Sequence, residues 1–327
     1  MLNRRKILIL GGAGFIGSNL AIEFFNKGAR IKIVDGFLKH TGANIDNIKT
    51  ILEEVEFYDC KVENCSDLRR LVQESDLIID SMGLTSHVFG MEHLLVDVRI
   101  NLISHIHVID ALKSSKHKKV IYLGSRGQYG RVIKESVITE DTSQRAIDSQ
   151  GVAKTAAESL YRIYAQKFGF RVLSLRITNC FGENQKFDAP DIGLVGSFIR
   201  DVSAGKAVEV FGNSNRKKNL VYVKDLVRII AKLSTVNFDT FEVYNVAGDE
   251  VSLATLLDTI IRCIGEGRYT TGDFPDSIRK IDVGEAQFND DKLKAKLGTL
   301  NYTEIETSIR KTVTYFQRAT RTNSYDL

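Results

Sequence analysis

The chain has 327 residues, 43% hydrophobic and 26% charged, with a formal net charge of +4; that length is enough for a substantial core and about two domains. The small, dispersed positive charge argues against a nucleic-acid partner. Four cysteines without Cys-x-x-Cys spacing fit reduced thiols in a cytoplasmic protein with no structural metal, and no apolar run reaches the roughly 18 residues of a membrane span.

Ile7-Leu8-Ile9-Leu10 reads as a strand that leads directly into Gly11-Gly12-Ala13-Gly14-Phe15-Ile16-Gly17 and a helix over about 15–27. The basic Asn3-Arg4-Arg5-Lys6 start therefore precedes a strand rather than the apolar core of a signal peptide. A strand reversing tightly into a helix turns free N–H groups and a positive dipole end toward an anion. Gly11, Gly14 and Gly17 remove side chains where a pyrophosphate comes closest. A second strand over 30–34 ends at Asp35, at the distance of a carboxylate that grips a ribose 2′-hydroxyl. That charge would repel a 2′-phosphate, so the two signals together predict NAD rather than NADP.

Further strands are predicted at 55–58, 76–80, 119–123 and 171–177, separated by helices at about 66–74, 95–114 and 151–168. Leu94, Val98, Leu102, Ile106 and Ile109 recur at helical spacing, so His105 and His107 read as packing or surface residues rather than metal ligands. Beyond about 180 the rhythm weakens to a helix at 192–204, a strand at 207–211, a helix at 223–234, a strand at 242–246 and further helices. This is the pattern of an α/β fold: a doubly wound parallel sheet over 1–180, to which 220–250 returns, and a smaller mixed α/β lobe over 181–327. The lobe would lie over the carboxyl ends of the strands, where such folds bind ligands.

Several more segments share one order and spacing. They are Tyr58-Asp59-Cys60, Asp76-Leu77-Ile78-Ile79-Asp80, Asn101, Ser125-Arg126-Gly127-Gln128-Tyr129-Gly130, Lys154 in Ala153-Lys154-Thr155-Ala156-Ala157-Glu158, Arg176-Ile177-Thr178-Asn179-Cys180-Phe181-Gly182 and Tyr222-Val223-Lys224-Asp225. With the glycine turn and Asp35 they resemble, over at least residues 1–250, the extended short-chain dehydrogenase/reductase family, specifically its nucleotide-sugar epimerases and dehydratases. The resemblance implies a Rossmann domain holding NAD, a lobe that binds a nucleotide-diphosphate sugar, and a homodimer. It implies that Gly11, Gly14, Phe15, Ile16, Gly17, Asp35, Asp59, Cys60 and Lys154 hold the cofactor, with Asp59 toward the adenine amino group and Lys154 on the nicotinamide ribose. It also implies that Ser125 hydrogen-bonds the sugar oxygen being oxidised, that Asn179 contacts substrate near its diphosphate, and that Lys218 replaces a pyrophosphate-binding arginine.

Two departures bear on the chemistry. Family members pair Lys154 with a tyrosine one helical turn earlier, whereas this chain has Gln150. An amide cannot take a proton from a hydroxyl, though it can hydrogen-bond a sugar hydroxyl or carbonyl. His87, in Gly83-Leu84-Thr85-Ser86-His87, titrates in the useful range and is a candidate substitute base, beside the plainer reading of a structural or substrate-binding histidine. Tyr129, Tyr161 and Tyr164 are the nearby phenols. The family's dehydratases carry Asp-Glu after the residue matching Ser125; here Arg126-Gly127 argues against that route and offers Arg126 to a phosphate or sugar carboxylate. Cys180 reads as small apolar filler. The sequence thus points to an NAD-dependent nucleotide-sugar epimerase that oxidises a sugar hydroxyl transiently and returns the hydride. The alternatives are another NAD-dependent nucleotide-sugar reaction, by a reductase, decarboxylase or dehydratase, or a non-catalytic binding protein that has lost the tyrosine.

Overall fold

Each apolar run of the first 180 residues becomes a strand, because Val, Ile and Leu on both faces suit a parallel sheet covered by helices. The computed structural model describes residues 2–131, 137–186, 189, 192–275 and 284–323. In chain order the strands are β1 (Lys6–Leu10), β2 (Arg30–Asp35), β3 (Glu56–Asp59), β4 (Leu77–Asp80), β5 (Lys119–Ser125), β6 (Val137–Ile138) and β7 (Arg171–Ile177). They continue with β8 (Asn179–Phe181), β9 (Val208–Phe211), β10 (Lys217–Tyr222), β11 (Phe241–Val246), β12 (Asp249–Ser252), β13 (Tyr269–Gly272) and β14 (Gln287–Phe288). Among the described residues a seven-stranded sheet runs β11-β7-β5-β4-β1-β2-β3, and all its pairs are parallel. The chain moves outward from β1 through β2 to β3, then crosses back to β4 and continues the other way. The switch point between β1 and β4 opens a crevice at the carboxyl ends of these strands.

The helices α1 (Phe15–Asn26), α2 (Leu68–Glu74), α3 (His87–Glu92), α4 (Leu94–Val98), α5 (Ser104–Leu112), α6 (Ser149–Phe168), α7 (Leu194–Ser203), α8 (Val223–Thr235), α9 (Leu253–Ile264), α10 (Asp291–Leu297) and α11 (Ile305–Asn323) surround the strands. Strand alternation divides the sheet's apolar side chains between two layers. Ile7, Ile9, Ile33, Ile79 and Ile121 pack with Leu20 and Phe24 of α1 and Leu226 and Ile230 of α8. Leu8, Leu10, Ile78, Val120 and Val172 pack with Leu71 of α2, Val108 of α5 and Ala157 of α6 on the other face. Away from the large sheet, β10 pairs antiparallel with β12 and parallel with β8, while β11 returns to the edge of the large sheet beside β7.

The single helix expected over 95–114 is divided. It comprises α4, a π-helical turn over Arg99–Ile103 and α5, with α3 as a separate short helix before it. Only part of the apolar stripe is buried: Ile109 is, Leu94 and Ile106 are exposed, and the polar Asp97, Asn101 and His105 are fully buried. Pairing explains the buried polar residues, since Asn101 Nδ2 donates to Asp97 Oδ1 at 2.5 Å and to the Leu84 carbonyl at 3.1 Å. His105 Nδ1 lies 2.6 Å from Asp80 Oδ2. The helix expected from 192 begins at Leu194, after Gly193 in the left-handed region at φ +83. Among the described residues no helix is long and apolar enough to cross a membrane, and no cluster of His, Cys, Asp and Glu could hold a metal ion.

Candidate active site

A cleft of about 700 Å³ lies at the carboxyl ends of the strands and is lined also by residues of α7, β9 and β10. At one end β1 gives way to Gly11, whose φ of +74 suits glycine, and a Cβ on Gly17 would sit 2.1 Å from the Gly11 carbonyl oxygen. The turn can therefore be this tight only with glycine at these positions. Gly11, Gly14, Phe15, Ile16 and Gly17 line the cleft where α1 begins, with the first N–H groups of the helix available to an anion. Asp35, at the end of β2, also lines it. Its Oδ2 accepts the Ala13 N–H and its Oδ1 the Phe37 N–H, both at 3.0 Å. Burial raises its carboxyl above the ordinary value, with these two bonds opposing the shift. Cys60 lines the cleft as well, its thiol pushed up to about 12 by burial and by Cys65. Asp59 instead is the exposed last residue of β3, outside the residues that line the cleft.

At the other end β5 delivers Ser125. Its Oγ accepts the Gly127 N–H at 3.1 Å and its own N–H donates to Gln128 Oε1 at 2.8 Å, which locks the turn that follows. Asp148 caps α6 by accepting the Gly151 N–H at 2.7 Å, and the first turns of that helix carry Gln150 and Lys154 to the chain leaving β4. Lys154 Nζ donates to the Met82 carbonyl at 2.8 Å and the Leu123 carbonyl at 3.1 Å, 5.1 Å from the centre of the Tyr122 ring. Burial pulls its ammonium down to about 8, against the opposing charges of Asp80 and Asp97. Gln150 Nε2 donates to the Leu84 carbonyl at 2.7 Å, while its buried Oε1 accepts no hydrogen bond among the described residues. His87 Nδ1 lies 2.7 Å from Asp148 Oδ2. Ser125 Oγ, Gln150 Oε1 and His87 Cε1 converge within 3.4, 3.7 and 3.7 Å of one point, the place a Cβ on Gly127 would take. The site thus brings a hydroxyl, an amide acceptor and an imidazole together in the cleft that Lys154 also lines, with no phenol among the three.

Arg126, Asn179, Cys180 and Lys218 line the same cleft. The Arg126 guanidinium lies 5.6 Å from the centre of the Phe288 ring, Asn179 Nδ2 donates to the Asn219 carbonyl at 2.8 Å, and Lys218 Nζ donates to the Gly284 carbonyl at 3.1 Å. Burial pushes the Cys180 thiol up, which fits a filler rather than a proton carrier. The tyrosines near the site are turned elsewhere: Tyr129 OH donates to Asn245 Oδ1 at 2.7 Å and Tyr161 OH to Asp80 Oδ2 at 2.6 Å, both fully buried. Sequence reasoning missed Asp148. An aspartate just before a helical run was legible as a cap, but its reach to His87 on another element was not.

The NAD dependent epimerase/dehydratase family matches residues 7–247 of the chain. An uncharacterized UDP-glucose epimerase of Bacillus subtilis is 26% identical over 287 residues, covering 84% of this chain and 86% of its own. The fold is shared by the UDP-glucose 4-epimerase of Thermotoga maritima solved with UDP-glucose, at a TM-score of 0.84 and 24% identity over 96% of this chain and 99% of the other. It is shared too by the UDP-glucuronic acid 4-epimerase of Bacillus cereus solved with UDP-glucuronic acid and NAD, at a TM-score of 0.84 and 20% identity over the same shares of the two chains.

Proposed function

Because the chain belongs to the NAD-dependent epimerase/dehydratase family, we propose that it is a nucleotide-sugar epimerase whose base is His87 in place of the family's tyrosine. The convergence of Ser125 Oγ, Gln150 Oε1 and His87 Cε1 on one point in the cleft that Lys154 also lines carries this reading. NAD is the cofactor of the family, and the residues present fit it. The glycine turn is a cradle that a Cβ on Gly17 would fill, and the Asp35 carboxylate stands at the end of β2, where a ribose hydroxyl would lie.

In this reading Gly11, Gly14 and Gly17 with the backbone of Phe15 and Ile16 hold the pyrophosphate, Asp35 takes the adenosine ribose, and Cys60 borders the adenine. When bound, NAD supplies a reversible acceptor for the hydride on a sugar carbon. Lys154 commits two of its three N–H donors to carbonyls, and the third reaches the nicotinamide ribose. Ser125 donates to the sugar oxygen, Gln150 Oε1 accepts from a neighbouring sugar hydroxyl, and His87 removes and returns the hydroxyl proton. Arg126, Asn179 and Lys218 hold the diphosphate and the far side of the sugar. A homodimer is supported by a row of exposed apolar side chains on adjacent helices, among them Met91, Leu94, Leu95, Ile106 and Val152.

The test is incubation of the NAD-loaded protein with UDP-glucose, UDP-N-acetylglucosamine and their uronic acids, with products resolved by NMR. Inversion of one ring carbon is the expected result. Tight binding of NAD and a nucleotide sugar with no product would favour the non-catalytic reading, to which Gln150 in place of a phenol lends its one supporting observation.

A further inference from the structure

Asp148 makes one bond more than a helix cap needs. Oδ1 accepts the Gly151 N–H at 2.7 Å. Oδ2 reaches back 61 residues in sequence to lie 2.7 Å from His87 Nδ1 at the start of α3. Both partners sit at helix starts, so their backbones are fixed: Ser86 caps α3 by accepting the Phe89 N–H at 3.2 Å, as Asp148 caps α6. The Asp148 side chain is only 2% exposed, whereas that of His87 is 40% exposed. Burial works against the charge of Asp148, but the bond and charge of His87 and the Gly151 N–H outweigh it and hold the carboxyl below its ordinary value. The group is therefore ionised at neutral pH, and a carboxylate can only accept. His87 Nδ1 must then carry the hydrogen, which makes Nε2 the basic nitrogen.

We propose that Asp148 is the positioning residue of His87, fixing the imidazole in the Nδ1–H tautomer so that Nε2 takes the proton of the sugar hydroxyl. The inference rests on the reading of His87 as the base of a nucleotide-sugar epimerase. In the forward step the hydroxyl O–H bond breaks and its proton goes to Nε2. The oxygen's electron pair closes the carbonyl, and the carbon's hydrogen leaves with its bonding pair to the oxidant of the family's activity, NAD. On return Nε2 gives the same proton back. Asp148 stays ionised throughout and stabilises the imidazolium formed in between, and Gln150 needs to contribute only a hydrogen bond.

The experiment compares the parent chain with Asp148→Asn. The amide oxygen can still cap α6, but the amide N–H₂ now faces Nδ1 and demands the opposite tautomer. In ¹⁵N NMR of histidine-labelled protein at neutral pH, the parent should show His87 protonated at Nδ1 and the variant at Nε2. With substrate, kcat should fall on the order of 10²–10⁴-fold while KM changes by no more than a few-fold. Asp148→Ser keeps a capping oxygen without the carboxylate and carries the same kinetic test if the asparagine variant does not fold. An unchanged tautomer in Asp148→Asn, or an unchanged kcat in either variant, overturns the proposal. If the parent turns over no nucleotide sugar, the epimerase reading fails, and the NMR result still decides what Asp148 does to His87.

Discussion

Gln150 shares the carbonyl of Leu84 with Asn101: the two amides donate to it at 2.7 and 3.1 Å and tie the first turn of α6 to the chain leaving β4. The glutamine thus has a packing task besides any contact with substrate. In Gln150→Tyr the phenol would share a helical face with Lys154, so kcat should be unchanged or modestly raised, while the lost amide bond costs about 1 kcal/mol of stability. His87→Asn should lower kcat on the order of 10²–10⁴-fold in the parent and far less in the tyrosine variant. Steady-state kinetics of the four proteins and urea melts check this. Equal losses in both backgrounds would remove His87 from the chemistry.

Lys154 sits in a buried cage of two carbonyls and the Tyr122 ring. Lys154→Met keeps most of the side-chain volume, so far-UV circular dichroism should be preserved while turnover drops on the order of 10²–10⁴-fold. Because burial lowers its folded pKa to about 8, the ammonium is present below that pH and lost above it. NAD affinity by calorimetry should therefore weaken between pH 7 and 9 in the parent and stay flat in the methionine variant. A flat profile in both proteins would separate Lys154 from the cofactor.

Asp35 spends one bond from each oxygen on the backbone, to Ala13 and Phe37, which leaves lone pairs for a ribose hydroxyl and a charge that repels a 2′-phosphate. Asp35→Ala should narrow the preference for NAD over NADP through weaker NAD and stronger NADP binding. Titration of both cofactors decides it, and tighter NADP binding by the parent would contradict the assignment.

Asp80 and His105 form a fully buried pair whose protonation links stability to pH. Burial opposes the charge of Asp80, but His105, Tyr161 and Lys154 together hold its carboxyl below the ordinary value. Burial holds His105 below its ordinary 6.5 despite the attraction of Asp80. The unfolded chain therefore binds protons before the folded one, first at the histidine near about 6.5 and then at the carboxylate near about 3.9. Urea midpoints should hold between pH 8 and 7 and fall from pH 6.5 to 5. Asp80→Asn, which leaves buried donors short of an acceptor, should cost about 1–3 kcal/mol at pH 7. A midpoint that rises toward pH 5 would be inconsistent with a neutral buried His105.

The large sheet was legible because parallel strands buried on both faces, such as Ile7-Leu8-Ile9-Leu10, read as unbroken apolar runs, and the glycine turn punctuates the first of them. The stretch over 95–114 was not. Its buried residues Asp97, Asn101 and His105 look solvent-facing in sequence and are admitted to the interior by pairing, Asp97 with Asn101 within the stretch, Asn101 with Leu84 and His105 with Asp80 outside it. Its apolar Leu94, Leu95 and Ile106 look like core yet point outward. For the same reason Asp148 was missed, since nothing local announces that His87 will be packed against it. Asp59 falls at the exposed end of β3 rather than in the cleft, since the strand expected over 55–58 spans 56–59.

The claim that a sugar hydroxyl is oxidised and the same hydride returned is tested most directly by isotope transfer. UDP-sugars deuterated at one ring carbon at a time are incubated with the NAD-loaded protein in ordinary water, and the products are examined by NMR and mass spectrometry. The account expects an epimer that keeps its deuterium at the inverted carbon, in the parent but not in Lys154→Met. Loss of that deuterium to solvent, or no epimer from any nucleotide sugar that binds, would contradict it.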